Sequence, residues 1–209
     1  MKNSVTVEGK GLSKSFDRRT IFSGIAFSVR SGETLLITGR NGSGKSTLVK
    51  IISGVLTPTA GGVTFRGEQA TEKNDGHTLV GLVSPYLQVF EEFSAIENLA
   101  LALRLRGQRR DPASARALLS RVGLDSRKSD DVRTYSSGMK QRLKYAFALL
   151  HRPPILILDE PTANLDQEGV ALVREIMQEQ RETGVLIVAT NDPGEVETFD
   201  LQVDLHASH

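Results

Sequence analysis

Apolar and polar residues alternate over positions 4–8 and again over 25–30, the period of two expected of strands with one face buried. Positions 34–38, Thr-Leu-Leu-Ile-Thr, form instead a continuous apolar run that ends in a glycine-rich turn. Beyond that turn, positions 45–53 carry Leu48, Val49, Ile51 and Ile52 at helical spacing, and Gly54 supplies a stop signal. Strand, loop and helix are predicted in that order. Gly61-Gly62 opens a short strand over 63–65, and 78–83 reads as another. From about position 92 to 150 the pattern turns helical. Leucines recur at helical spacing over 95–106, Asp111-Pro112 supplies an N-cap and a first-turn proline, and 137–150 makes a third helix. Apolar strands return at 155–158 and 185–189, with a helix over 168–182 between them. Strands apolar throughout and joined through helices imply a parallel sheet covered on both faces. The helical stretch, 88–150, is then an insertion between two parts of one α/β core, 1–87 and 151–209.

Composition narrows the classes. Apolar residues make up 39% and charged residues 24% of the 209 positions, ordinary values for a globular domain with a real core. With 26 basic and 25 acidic side chains, no global field draws nucleic acid or an anionic membrane, and no nucleic-acid partner is expected. The absence of cysteine excludes disulfides and thiolate metal sites and suits a reducing cytoplasm. The first residues alternate in polarity and lack the apolar block of a signal peptide. The strand-like runs at 155–158 and 185–189 span four and five residues, against the ~20 a bilayer span needs. Any membrane role is therefore expected to run through a partner. The four histidines, His77, His151, His206 and His209, have no metal-ligand spacing.

Gly39-Arg40-Asn41-Gly42-Ser43-Gly44-Lys45-Ser46, followed by Thr47, fits G-x-x-x-x-G-K-[ST] at every fixed position. Glycines let the backbone curl until successive N–H groups face a phosphate, and the helix that follows presents its positive end. In that arrangement Lys45 reaches the β- and γ-phosphates and the Ser46 hydroxyl binds Mg²⁺. A second cluster closes the strand at 155–158, where Asp159 and Glu160 follow directly. Adjacent carboxylates there stand at the carboxyl edge of the sheet, where such sheets bind ligands. Asp159 suits Mg²⁺ and Glu160 suits polarising an attacking water. Either motif alone has a plain alternative, a glycine-rich turn or an exposed strand end; together they predict ATP and Mg²⁺ as ligands.

With these motifs in place the sequence resembles the nucleotide-binding subunit of ABC transporters over nearly its whole length. Tyr135-Ser136-Ser137-Gly138-Met139 is similar to the family's Leu-Ser-Gly-Gly-Gln signature and lies upstream of the acidic strand, as in the family. By itself the segment also fits a helix-capping turn. The resemblance implies a P-loop NTPase core with a mostly parallel sheet, an antiparallel β subdomain and an inserted helical subdomain. It also implies that Ser136, Ser137 and Gly138 complete the ATP site of a second copy in a head-to-tail sandwich. Phe16 falls where the family stacks an aromatic on adenine. Asn164-Leu165-Asp166 matches the loop coupling the two sites, with Asp166 counted among the nucleotide-binding residues. Ile96-Glu97-Asn98-Leu99 matches a helix start near the surface that meets a membrane permease. The chain is thus expected on the inner face of a membrane, held there by an integral permease.

Three positions depart from the family pattern. Pro85 stands where the family carries a Mg²⁺-sensing glutamine, and neither Ser84 nor Gln88 aligns with it. Asn191 stands at the switch-histidine position, and an asparagine can hydrogen-bond a γ-phosphate but cannot become a cation. Met139 replaces the last glutamine of the signature. Slow but real hydrolysis is expected, with Lys45, Glu160 and Asn191 as the catalytic set. The resemblance to simple two-component exporters, the haem-exporter-like group among them, implies an ATPase that drives export; the alternatives are a non-transport ABC-type ATPase and a regulatory module with little hydrolysis.

Overall fold

The computed structural model describes residues 4–67, 78–107 and 112–205. The predicted cap at Asp111 and the histidines at 77, 206 and 209 lie outside these residues. The chain begins with a long hairpin, β1 (Val5–Phe16) and β2 (Arg19–Arg30), paired antiparallel. Only the inner half of each strand is legible in the alternation, because the outer halves are mostly polar. The turn between them has Asp17 at φ 44° and Arg18 at φ 68°. Two positive-φ residues make the tight turn whose twist matches its flanking strands, here without the Asn-Gly or Asp-Gly that would announce it. β4 (Ala60–Gly67) adds to the free side of β1 and gives a three-stranded antiparallel sheet in the order β2-β1-β4.

The second sheet is parallel. β3 (Thr34–Thr38), β5 (Val80–Val83), β6 (Ile155–Asp159), β7 (Val185–Thr190) and β8 (Leu201–Asp204) line up as β5-β6-β7-β3-β8. The strand β8 has no counterpart in the sequence reading: four residues, alternating and partly exposed, carry too little apolar pattern to announce it. The helices are α1 (Lys45–Ile52), α2 (Ala95–Leu105), α3 (Pro112–Arg121), α4 (Ser137–Leu149) and α5 (Gln167–Thr183).

Every residue of β3, β6 and β7 is buried, and alternate side chains enter two different cores. Leu35, Ile37, Ile155, Ile157 and Ile187 pack with α1 and with Val7, Leu12, Phe22 and Val29 of the antiparallel sheet. Leu36, Leu156, Leu158, Leu186 and Val188 pack instead with residues of α2, α3, α4 and α5. Burial of a single Leu or Ile is worth about 1.5–3 kcal/mol, so both faces of this sheet are strongly specified. The helix start at α2 is equally well determined. Ser94 and Glu97 form a reciprocal capping box, and Asn98 exchanges hydrogen bonds with the Phe90 backbone at 2.8 and 2.9 Å. The result is a core whose parallel strands all end on one edge, with α1 starting and α4 anchored there.

Candidate functional site

Between β3 and α1 the chain turns through positive φ at Gly39, Gly42 and Gly44. Gly44 is the N-cap of α1, and Lys45 is the first helical residue. The Lys45 side chain is buried; its Nζ donates to the Gly39 carbonyl at 2.8 Å and lies 3.3 Å from Glu160 Oε1. The loop thus curls around its own lysine. Phe16 stands at the hairpin tip, 46% exposed, with the Lys14 ammonium 4.8 Å from its ring centroid. The same hairpin reaches the loop: a Cβ on Gly44 would lie 2.5 Å from Ile21 Cγ2.

The acidic pair occupies the end of β6, next to this loop. Asp159 is fully buried. Burial, and after it the neighbouring Glu160 charge, push its carboxyl above the ordinary aspartate range, while the Ser46 and Ser84 hydroxyls and the Lys45 ammonium work in the opposite direction. Its Oδ2 accepts from Ser84 Oγ at 3.4 Å, and its Oδ1 has no hydrogen-bond partner. A buried oxygen without a partner costs free energy. A hard divalent cation satisfies such an oxygen, so Asp159 together with the Ser46 hydroxyl fits Mg²⁺. Glu160 sits at φ 50° with its N–H bonded to the Ala189 carbonyl at 2.8 Å, and its side chain remains partly open to solvent.

Asn191 follows β7 and is exposed. It borders a cleft of about 470 Å³ with Thr38, Gly39, Arg40 and Asn41, so the structure brings it to the phosphate loop. Glu195 steadies this turn by pairing with Thr190 and with Thr162 from the loop after β6. Ser136, Ser137, Gly138, Asn164 and Asp166 border a different cleft, of about 300 Å³. None of them borders the cleft with the phosphate loop. Ser136 N-caps α4, its hydroxyl accepting from Met139 N–H at 3.2 Å, and Met139 packs its side chain against the helical core. Asp166 N-caps α5 and receives Arg142 at 2.7 Å. Pro85 is exposed just past β5, where Ser84, and not Gln88, faces the acidic strand.

Several side chains at this edge carry no sequence signal. Tyr145 of α4 donates to the Pro161 carbonyl at 2.7 Å, and Lys144 donates to the carbonyls of Ser84 and Pro85 at 3.3 Å each. Arg142 bridges Asp166 and Glu168. Only tertiary packing brings these partners together.

Comparison with known proteins shows the family and the fold. Residues 22–163 match the family described as ABC transporter. An uncharacterized ABC transporter ATP-binding protein of Bacillus subtilis is 34% identical over 185 residues, which is 88% of this chain and 84% of that protein. A lipoprotein-releasing system ATP-binding protein of Caulobacter vibrioides is 36% identical over 203 residues, 90% of this chain and 87% of that protein. A solved ATP-binding subunit of an ABC transporter superposes with a TM-score of 0.83 at 29% identity, covering 95% of this chain and 85% of that one. A dimeric ATP-binding cassette in a post-hydrolysis state with ADP and Pi shares the fold at a TM-score of 0.81 and 22% identity, over 95% of this chain and 93% of that one. The mixed α/β fold is that of the P-loop NTPases, and the chain belongs to the ABC transporter ATP-binding family.

Proposed function

We propose that this chain is the motor subunit of a transporter, hydrolysing ATP slowly between two copies of itself to drive a separate membrane protein. The observation that carries the reading is the meeting of Lys45, Ser46, Asp159 and Glu160 at the carboxyl edge of one parallel sheet. The loop N–H groups and the α1 N-terminus receive the phosphates. Lys45, now held by the Gly39 carbonyl and Glu160, turns its ammonium to the β- and γ-phosphates. Ser46 and Asp159 hold Mg²⁺, which when bound offsets charge on those phosphates. Glu160, released from Lys45, accepts a hydrogen bond from the attacking water and orients it. Asn191 donates to the γ-phosphate from the other wall of the cleft, and Phe16 stacks on adenine. Without an ionisable group at position 191 one acid–base contribution is missing, worth ~10²–10⁴ in rate, and the expected turnover is correspondingly slow.

The second copy follows from the two separate clefts. Ser136, Ser137 and Gly138, at the start of α4, border a cleft that their own phosphate loop does not line, and this arrangement suits the γ-phosphate of a partner. Asp166 lies beside them, as the loop joining two sites requires. For the permease, the exposed rings of Tyr86, Phe90 and Phe93 offer an apolar landing, with Phe90 and Phe93 5.6 Å apart between centroids. No helix of the described residues is long and apolar enough to cross a membrane, which is consistent with a subunit held at the cytoplasmic face by its partner. Relatives are named for lipoprotein release and for lantibiotic transport, and these names support a transport role without giving its direction.

Glu160→Gln tests the reading. It keeps the shape of the site and removes the base, so ATP persists between Lys45 of one copy and Ser136 of the other. Gel filtration with saturating Mg-ATP should show a dimer that disappears with ADP. A variant that binds ATP yet elutes as a monomer sinks the sandwich.

A further inference from the structure

Pro85 removes the only side-chain ligand that the family pattern provides at the end of β5, yet that strand end is not left without a polar group. Ser84 is buried, its Oγ donates to Asp159 Oδ2 at 3.4 Å, and the same oxygen accepts from Tyr86 N–H at 3.3 Å. Both directions of the hydroxyl are therefore committed. Oδ2 is engaged by Ser84, while Oδ1 is buried without a hydrogen-bond partner; the Ser46 hydroxyl, on the phosphate-loop side, also acts on this carboxyl. Behind Ser84 stands Lys144. Its Nζ lies 3.3 Å from the carbonyl oxygens of both Ser84 and Pro85, and no described carboxylate pairs with it. A partly buried ammonium without a counter-ion has its desolvation offset only by the carbonyls to which it donates, so Lys144 and the two carbonyls fix one another. Lys144 belongs to α4, the helix that opens at Ser136, and the next residue, Tyr145, grips the Pro161 carbonyl just past Glu160. One helix thus holds the ends of both strands that carry Ser84 and the acidic pair.

We propose that Ser84 is the positioning residue for the divalent cation, orienting the Asp159 carboxylate through Oδ2 so that Oδ1 faces the metal, and that Lys144 holds Ser84 in place. The pair takes up at residue 84 what proline cannot do at residue 85, and it ties the metal ligand to the helix that begins at the signature. This rests on the Mg-ATP site proposed above. Outer groups that orient a metal ligand typically account for about 10- to 100-fold in metal affinity. Ser84 is a single neutral donor and should fall at the lower end.

The test uses the full chain and a fluorescent ATP derivative, titrated once with Mg²⁺ and once with EDTA. The dissociation constant in EDTA divided by that in Mg²⁺ measures the coupling of metal to nucleotide. Ser84→Ala should lower that ratio about tenfold, with the EDTA value unchanged, and Ser84→Thr should restore it. Lys144→Met should lower it several-fold and Lys144→Arg recover most of the loss. In turnover assays the Mg²⁺ concentration for half-maximal rate should rise, with the rate recovering at high Mg²⁺. An unchanged ratio in both Ser84→Ala and Lys144→Met overturns the proposal. So does a loss that is equal in Mg²⁺ and EDTA, since that marks a structural role. A wild-type chain that binds no nucleotide in either buffer overturns the site itself, and this inference with it.

Discussion

Gly44→Ala adds one methyl group at the point where the phosphate loop becomes helix. Gly44 sits at φ +104°, and a left-handed backbone costs an L-residue ~1–2 kcal/mol. The new Cβ would also lie 2.5 Å from Ile21 Cγ2 and 3.2 Å from Phe22 Cδ1. Ile21 Cγ2 is a branch at Cβ and cannot swing aside without a change of χ1, which β-branched residues resist. Overpacking of this kind costs ~1–3 kcal/mol, for a total near ~2–5 kcal/mol. In a chain of this size each kcal/mol moves Tm by ~2–4 °C, so the nucleotide-free variant should melt roughly 4–20 °C lower by circular dichroism or calorimetry. Gly42→Ala is the internal control. Its φ is +82°, but nothing lies within 4 Å of its Cβ; strain alone should cost ~1–2 kcal/mol. Ile21→Ala removes the obstructing methyl, so the double variant should be less destabilised than the sum of the singles by ~1–3 kcal/mol. Equal melting of Gly44→Ala and Gly42→Ala, or strict additivity with Ile21→Ala, would refute the reasoning that the hairpin braces the loop through Ile21.

Two further outcomes follow from buried polar groups at the same edge. Tyr145→Phe strands the Pro161 carbonyl that the phenol now serves at 2.7 Å; the cost is ~1–3 kcal/mol, and calorimetry should show a Tm several degrees lower, against which a change under a degree would count. Burial holds Asp159 above the ordinary aspartate range, so between the unfolded value and the raised folded one the folded chain binds more protons there than the unfolded chain. The stability this group contributes is therefore greatest in acid and is lost as pH rises through the raised folded value. Asp159→Asn should accordingly raise the Tm of the nucleotide-free protein at neutral pH, with the gain shrinking as pH falls toward ~4, where free aspartate titrates; a lower neutral Tm in calorimetry run across pH would contradict this.

The parts that were legible in the sequence are those that solve a single physical problem. β3, β6 and β7 must be apolar on both faces because cores lie on both sides of them, and such runs cannot be mistaken for exposed strands. The loop before α1 needs glycine where φ is positive, and three glycines at fixed spacing record that need. The outer half of the β1–β2 hairpin was hidden because it is mostly polar and its turn uses Asp17 and Arg18 at positive φ, without the glycine that announces such a turn. β8 was hidden because four residues at an edge bury little. At the site, Ser84 is marked in the sequence only as a near neighbour of Pro85. Its contact with Asp159 joins positions 75 residues apart, and no local pattern encodes such a distance. Lys144, Tyr145 and Glu195 are ordinary helix or loop residues in sequence, and packing alone gives them their partners.

The central claim is that the loop around Lys45 binds the triphosphate, and calorimetric titration of Mg-ATP into the purified chain tests it most directly. One site per chain should be seen with the wild type and no measurable heat of binding with Lys45→Ala, provided thermal melting shows the variant folded. Saturation of folded Lys45→Ala with wild-type affinity would contradict the account.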